Sequence, residues 1–211
     1  GTSRFDEANA LTTGSDGSIY IAGYTTGDLD GQTTFNGGYE DAFISKFNPD
    51  GTKEWTRLVG QSSRDVAYAL TTGSDGSIYI AGSTEGDLDG QKHSGGYGDA
   101  FISKFNPDGT KDWTRLFGTN SYDRANALTN GADGSIYIAG YTQGDLGGQT
   151  HIGNNSNAFI SKFIELDAPL IEITLSATSF NENIAADSIV ATLSSTDANS
   201  SDTHTYTFVS G

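Results

Sequence analysis

The chain repeats itself with a spacing of 58 to 59 residues, and this repeat limits the fold more than any other feature. The segment SDGSIYIAG starts at Ser15, recurs unchanged from Ser74, and returns as ADGSIYIAG from Ala132. A repeat of this length forms one supersecondary unit that cannot bury its apolar face alone, so neighbouring units stack to bury it together. We therefore expect three stacked units over residues 1–165, divided at about 1–58, 59–117 and 118–165.

Each unit is predicted to contain four short β-strands. In SIYIAG, Ile19 and Ile21 alternate with Tyr20 and Ala22, which is the two-residue period of a strand. The turns GSDG and NPDG both end in Asp-Gly, and glycine tolerates the positive φ of a tight hairpin turn. No segment shows a helical period of useful length. Four strands in about 58 residues are typical of a β-propeller blade.

A second repeated segment points to the family that the units resemble. DAFISKFNPDGTK at 41–53 recurs letter for letter at 99–111, and NAFISKF at 157–163 repeats its first part. Together with the strand DGSIYIAG, this pattern resembles the bacterial SBBP-type β-propeller repeat, three times in register. The resemblance implies an all-β fold of three four-stranded antiparallel blades, a partial propeller, in a large secreted or cell-surface bacterial protein. It implies no catalytic mechanism.

The number of blades leaves two explanations open. Three blades are fewer than the roughly four to eight that close a propeller, and the third unit departs from the pattern after Phe163. Either the chain is a segment of a longer propeller, which we favour, or copies of it associate as a homo-oligomer that completes the ring. An open end would leave an unpaired strand edge and an exposed blade face.

The composition changes at about residue 166, where Ser, Thr, Asn and Ala become dominant. Alternating stretches in this part predict short strands of an incomplete, β-sandwich-like segment, at 171–175, 189–193 and 205–209.

Residues 166–211 also carry three motifs, NEN, STDAN and a final YTFVSG. With these motifs the segment resembles the first half of a bacterial cadherin-like repeat. Cadherin-like repeats bind calcium between successive domains, so the resemblance implies calcium ligands at Glu182, Asp197 and Asn199.

The acidic segment GDLDGQ occurs at 27–32 and 86–91, and a third copy at 144–149 reads GDLGGQ. Calcium takes about six to eight oxygen ligands, and this segment lacks the third acidic residue and the register of an EF-hand loop. We favour a turn whose aspartates accept backbone N–H groups, and keep a weak calcium site as the alternative. The aspartates concerned are Asp28, Asp30, Asp87 and Asp89.

Charge and composition argue against several classes of protein. The formal net charge is −16 at pH 7, from 27 acidic and 11 basic residues. Such a surface repels nucleic-acid phosphates and anionic lipids, so we expect no nucleic-acid partner. No apolar run approaches the about 18 residues of a transmembrane helix, so we also expect no membrane insertion. The chain has no Cys, which rules out thiol nucleophiles and thiolate metal sites.

The sequence offers no recognisable catalytic constellation. His93, His151 and His204 are not spaced as metal ligands, and no G-x-S-x-G nucleophile elbow occurs. We therefore expect that the protein is not an enzyme.

The strand order predicts that the long loops of all units lie at one end of the blades. Consecutive antiparallel strands run up and down, so turns 1–2 and 3–4 share one end and loops 2–3 and 4–1 share the other. Loop 2–3 is long, spanning about residues 25–40 in the first unit. Loops 4–1 carry Arg64 with Asp65 and Asp123 with Arg124, for which we predict surface ion pairs between neighbouring loops.

Two functions fit these features. The favoured hypothesis is a non-catalytic structural or adhesive segment of a large secreted or cell-surface bacterial protein, with a protein or a cell-surface glycan as partner. The alternative is a calcium-dependent carbohydrate-binding module that uses the long loops 2–3. In that module Tyr39 and Tyr97 would supply aromatic surface for sugars, and Ca²⁺ would be the only cofactor.

Overall fold

The structure of the protein is a computed structural model. The structure describes residues 1–34, 39–61 and 63–164, together with two backbone strands at 172–175 and 193–196. The chain divides into two compact units, Gly1–Ile164 and Glu165–Gly211.

The first unit consists of antiparallel β-sheets, each formed by strands that follow one another in the chain. The first sheet contains β1 (Asp6–Thr13), β2 (Ile19–Thr25), β3 (Asp41–Phe47) and β4 (Lys53–Val59); the second contains β5 (Asp65–Thr72), β6 (Ile78–Thr84), β7 (Asp99–Phe105) and β8 (Lys111–Phe117); the third contains β9 (Asp123–Asn130), β10 (Ile136–Thr142) and β11 (Asn157–Phe163). The predicted all-β fold of antiparallel blades is confirmed. The third sheet has three strands in the described part of the chain, and the sequence leaves the repeat pattern directly after β11.

Tight turns join the strands at the end of each blade away from the long loops. In the turn between β1 and β2, the Asp16 carboxylate accepts the backbone N–H of Ser18 at 2.9 Å, and Gly17 adopts φ +81°. The same bond from Ser77 to Asp75, also 2.9 Å, recurs in the second blade. These short polar contacts fix the hairpins locally, which explains why the turn sequences recur almost unchanged.

The blades pack face to face through the alternating side chains of their strands. The first strand of each later blade lies against the preceding sheet: β5 against β1, β2 and β3, and β9 against β5, β6 and β7. One apolar core therefore lies between the first and second blades and another between the second and third. In the interior, second sheet, β6 and β7 bury side chains on both faces, so the blade stack itself is the hydrophobic core.

Trp55 on β4 connects the outer edge of the first blade to the second. Its ring lies 6.2 Å from that of Tyr20, and the guanidinium of Arg57 lies 5.4 Å from the Trp55 ring. Arg57 also donates to the carbonyl of Gly109, in the NPDG turn of the next blade, at 2.9 Å. A methyl group on Gly109 would approach the Trp55 ring to 2.8 Å, so this turn requires glycine for close packing as well as for its φ of +80°.

In the second unit, β12 (Glu172–Leu175) pairs antiparallel with β13 (Leu193–Thr196). The predicted strand at 171–175 overlaps β12. The predicted strand at 205–209, most of the one at 189–193, and the motifs NEN and YTFVSG lie outside the described residues, and STDAN is described only at Ser195 and Thr196. No helix in the described part of the chain is long and apolar enough to cross a membrane.

Candidate binding face

The long loops of the three blades meet at one end of the blade stack, which we call the loop face. Its described residues are 25–34, 39–41, 60–61, 63–65, 84–99, 118–123 and 142–157. Backbone hydrogen bonds tie the loops of successive blades together. Asp65 donates its N–H to the carbonyl of Glu40 at 2.7 Å, and Asp123 donates to that of Gly98 at 2.8 Å. The loop face is therefore built from both blades at each junction.

The segment GDLDGQ is a two-residue β-hairpin. Leu29 and Gln32 exchange backbone hydrogen bonds of 3.1 and 2.9 Å, and between them Asp30 and Gly31 adopt φ of 55° and 76°. Positive φ at both central residues is the signature of a type I′ turn, for which Asp-Gly and Gly-Gly are suited. The third copy keeps this backbone, with Gly147 at φ 57° in place of the aspartate. The replacement of this aspartate by glycine thus preserves the turn.

The carboxylate of Asp30 attaches this hairpin to the last strand of its blade. It accepts a hydrogen bond from Thr56 at 2.5 Å and forms an ion pair with Lys53. These contacts hold the pKa of Asp30 below its usual value, the hydrogen bond from Lys53 having the largest effect. Asp89 makes the equivalent contacts with Thr114 and Lys111 of the second blade.

The first aspartate of the segment braces the rest of its loop. Asp28 accepts the backbone N–H of Thr34 at 3.0 Å, and Asp87 accepts that of His93 at 3.0 Å. In the third blade, which keeps this aspartate, Asp145 accepts the N–H of His151 at 2.7 Å. The bond spans six residues in each loop, which accounts for the presence of the first aspartate in all three copies.

The calcium hypothesis for these loops stays a prediction. Protein donors already approach the four aspartates Asp28, Asp30, Asp87 and Asp89. Within the described ranges, no three His, Asp or Glu side chains come together in a group that could hold a metal ion. The cadherin-like ligands Glu182, Asp197 and Asn199 lie outside the described residues.

Among the described residues of the loops between the second and third strands, each blade presents a large, exposed apolar or aromatic side chain on the loop face. Tyr39 is 60% exposed, Tyr97 is 78% exposed, and Ile152 is 81% exposed. All three belong to the loops between the second and third strands of their blades. The structure thus places both predicted tyrosines on the loop face, and it adds Ile152, which the sequence analysis did not select.

A polar cleft of about 670 Å³ opens between the loops of the second and third blades. Its walls include Tyr97, Ser121, Gln143, His151, Asn154 and Asn155. Internal hydrogen bonds hold the third blade's side: His151 Nε2 lies 2.6 Å from the Asn155 carbonyl, and Gln143 donates to the Ser156 hydroxyl at 3.2 Å. An aromatic wall beside amides and hydroxyls suits a polyhydroxylated ligand, whose rings stack while its hydroxyls form hydrogen bonds.

The prediction of surface ion pairs between neighbouring loops is wrong for Asp65 and Asp123, whereas Arg64 does form an ion pair with the neighbouring loop. Asp65 is 1% exposed and Asp123 is fully buried, because each begins a strand that is covered by the preceding blade. Arg64 instead pairs with Glu40 at 2.8 Å, and the Arg124 guanidinium lies 3.4 Å from the centre of the Tyr68 ring.

Buried aspartates beneath the loop face are a feature that the sequence analysis missed. Asp41, Asp65, Asp99 and Asp123 are each at most 1% exposed. The pKa of Asp65 is raised from 3.8 to about 7, mainly by burial and to a smaller extent by the neighbouring Asp41 carboxylate. The recurrence of an aspartate at the start of the first and third strands of a blade was the available signal.

Two family models match the repeats. Residues 54–89 match a beta-propeller repeat (SBBP), and residues 14–54 and 73–114 match a beta-propeller domain of unknown function (DUF5122). The chain carries β-propeller repeats. It is also 30% identical over 164 residues to regulatory protein FlaEY of Caulobacter vibrioides (strain ATCC 19089 / CIP 103742 / CB 15). The aligned part is 72% of this chain but 17% of that relative, so the chain spans about a sixth of the relative's length.

Proposed function

We propose that the chain is a non-catalytic interaction module of a larger secreted or cell-surface bacterial protein, and that its loop face binds a protein or a cell-surface glycan. The observation that carries this proposal is the exposure of Tyr39, Tyr97 and Ile152, one from each blade, on the same end of a rigid scaffold. Binding residues are disproportionately found on loops that such scaffolds position.

The positions at which the three blades differ in sequence also support the loop face as the binding surface. The turn SDGS of the first blade recurs in the second and returns as ADGS in the third, whereas the loops between the second and third strands differ. TTFNGGYE in the first blade corresponds to KHSGGYG in the second and THIGNNS in the third. In each loop, the first aspartate accepts the same backbone hydrogen bond and the hairpin has the same backbone. These sequence differences therefore change the surface of the loops and leave the underlying backbone unchanged.

A test of this proposal compares two exposed apolar positions. Tyr97→Ser changes the loop face, whereas Ala132→Ser changes an exposed residue in the tight turn between β9 and β10, at the opposite end of the blade. Binding of the fluorescently labelled chain to intact bacterial cells is measured by flow cytometry. We expect Tyr97→Ser to weaken binding at least about tenfold, which corresponds to about 1.4 kcal/mol, and Ala132→Ser to bind like the wild type. Equal binding by all three proteins would contradict the proposal.

The second candidate is a calcium-dependent carbohydrate-binding module, which the polar cleft beside Tyr97 favours. A glycan array probed with calcium and then with a chelator tests it. Sugar binding that the chelator abolishes, and that Asp28→Ala with Asp87→Ala also abolishes, would support this candidate over a protein partner. Sugar binding that is insensitive to the chelator would remove calcium from the hypothesis.

A further inference from the structure

The polar cleft between the second and third blades is uncharged, although the chain as a whole is strongly acidic. The formal net charge of the chain is −16 at pH 7. The described residues that line the cleft nevertheless include no Asp, Glu, Lys or Arg. An anionic ligand would find no lysine or arginine here, and a cationic one would find no carboxylate. The lining of the cleft therefore suits a ligand that carries no charge.

Backbone contacts between the two blades hold the aromatic wall of the cleft in place. Tyr97 donates its N–H to the carbonyl of Ser121 at 3.2 Å. A methyl group on the preceding Gly96 would lie 2.7 Å from the backbone nitrogen of Ser121 and closer still to the carbonyl of Asn120, so the two loops pack backbone against backbone. The Tyr97 ring projects from this fixed segment and is 78% exposed. A wall that is already ordered reduces the entropy lost on binding.

The opposite wall belongs to the third blade's loop, which is tied down at both ends. Gln143 donates its N–H to the carbonyl of Tyr122 at 3.0 Å, next to the segment that contacts Tyr97. Further along, the backbone N–H of His151 binds the Asp145 carboxylate at 2.7 Å, and its ring binds the Asn155 carbonyl at 2.6 Å. The loop therefore presents its polar side chains from a defined backbone.

Four polar side chains of the cleft are available to a ligand, since none has a hydrogen-bond partner among the described residues: Tyr97, Ser121, Asn154 and Asn155. Amides and hydroxyls both donate and accept hydrogen bonds, as sugar hydroxyls do. The volume of about 670 Å³ lies within the range of roughly 300 to 1,000 Å³ for small-molecule sites. The cleft thus combines an exposed ring with neutral groups that match a polyhydroxylated molecule.

We propose that this cleft binds the neutral sugar rings of a cell-surface glycan, and that it does so without a metal ion. The proposal rests on the proposed function of the loop face and assigns its partner class. The Tyr97 ring stacks on the apolar face of a sugar, and the amides of Asn154 and Asn155 bind its hydroxyls. Calcium sites are built mainly from carboxylates and carbonyls, and the aspartates of the calcium hypothesis, including Asp28 and Asp87, do not line this cleft.

An array of paired oligosaccharides tests the class of sugar and the role of metal together. Soluble oligomers of glucose, mannose and galactose are each printed beside the oligomer of the corresponding uronic acid, and the array is probed in EDTA. We expect binding to the neutral member of at least one pair, and binding at least about tenfold weaker to its acidic counterpart, which the acidic chain repels. Binding to acidic members alone, binding that EDTA abolishes, or no binding to any neutral oligomer would overturn the proposal.

Two matched asparagine variants place the sugar in the cleft. Asn154→Ala removes an exposed amide of the cleft, whereas Asn130→Ala removes an exposed amide where β9 meets the tight turn, at the opposite end of the blade. Titration calorimetry with the neutral oligomer that binds is expected to show at least about threefold weaker binding for Asn154→Ala and wild-type affinity for Asn130→Ala. Circular dichroism checks that both keep the β-sheet signal. Equal affinities of the two variants would overturn the assignment of the cleft.

Treatment of the bacterial cells separates this inference from the proposed function on which it rests. Periodate, which cleaves the vicinal diols of sugars, is expected to abolish binding of the labelled chain, whereas protease treatment of the cells is expected to leave it. The reverse result would overturn the sugar assignment and keep the loop face as a protein-binding surface. Absence of binding to untreated cells would contradict the proposed function, while the array decides the sugar assignment independently.

Discussion

Asp41 and Asp65 belong to neighbouring blades, and their carboxylates meet at Gly60. A methyl group on Gly60 would lie 3.0 Å from Oδ2 of Asp65 and closer still to Oδ1 of Asp41. Both side chains are almost completely buried, and Asp65 accepts the backbone N–H of Gln61 at 3.0 Å. The two carboxyl groups therefore meet at the junction of the two blades beneath the loop face, with no room for a side chain at position 60.

This pair predicts a pH dependence of stability. Burial raises the pKa of Asp65 from 3.8 to about 7, so the folded protein holds this proton more tightly than the unfolded chain does. The contribution of Asp65 is then fully favourable below about pH 4 and is lost as the pH rises towards 7, at up to about 1.4 kcal/mol per pH unit. Urea denaturation of the wild type and of Asp65→Asn between pH 4 and pH 8 measures it.

Asp65→Asn is expected to be more stable than the wild type at pH 8 and similar to it at pH 4, because the amide oxygen keeps the bond from Gln61. Asp6→Asn is the matched control at the same position of the first blade. The pKa of Asp6 lies below its usual value despite some desolvation, because of hydrogen bonds led by that from Thr25, so its loss is expected to destabilise the neutral-pH protein. An unchanged pH slope in Asp65→Asn would contradict the assignment.

The hairpin in GDLDGQ predicts that glycine at position 30 gives a more stable protein than alanine does. At Asp30 both Gly and Ala remove the contacts with Thr56 and Lys53, but only Ala is strained at φ 55°. Asp30→Gly is therefore expected to be more stable than Asp30→Ala by about 1 kcal/mol, measured by chemical denaturation. Asp28, whose φ is not positive, provides the control: there Ala is expected to be at least as stable as Gly. The same order at both positions would argue against the turn type.

Trp55 and Trp113 occupy equivalent positions in their blades, but we predict that replacing them destabilises the protein unequally. Trp55 is 8% exposed and packs against the turn of the second blade, whereas Trp113 on β8 is only partly buried. Trp55→Ala is expected to cost about 3 to 5 kcal/mol of unfolding free energy, the range for a buried aromatic residue, and Trp113→Ala clearly less. Thermal and urea denaturation of the two variants measure the difference. A larger loss for Trp113→Ala would mean that packing on the following blade does not decide the effect.

Much of the fold could be predicted because its determinants are local. The alternation of Ile19 and Tyr20 and the Asp-Gly turns each act within a few residues. The sequence also contained the signal for the hairpin, since the replacement of Asp30 by Gly147 in the third copy is what a left-handed backbone position permits.

Features that depend on a neighbouring blade could not be predicted in the same way. Arg64 and Asp65 are adjacent in the chain and suggested an ion pair, but the strand that begins at Asp65 turns the carboxylate under the preceding blade and leaves the arginine to Glu40. Likewise, Ile44 and Ile160 have the same local sequence and differ only in whether a blade covers them. Packing between blades is a non-local property that a single repeat does not encode.

The most direct test of the loop face as the binding surface is an exchange of loops between blades. Residues 85–98 of the second blade and 143–156 of the third have the same length, so the third blade's loop can replace the second's without a change in spacing. The exchange removes Tyr97. It keeps the hairpin backbone and the hydrogen bond that the first aspartate of the loop accepts. We predict an unchanged β-sheet spectrum and a loss of at least about tenfold in binding to bacterial cells. A folded chimera that binds as tightly as the wild type would contradict the account.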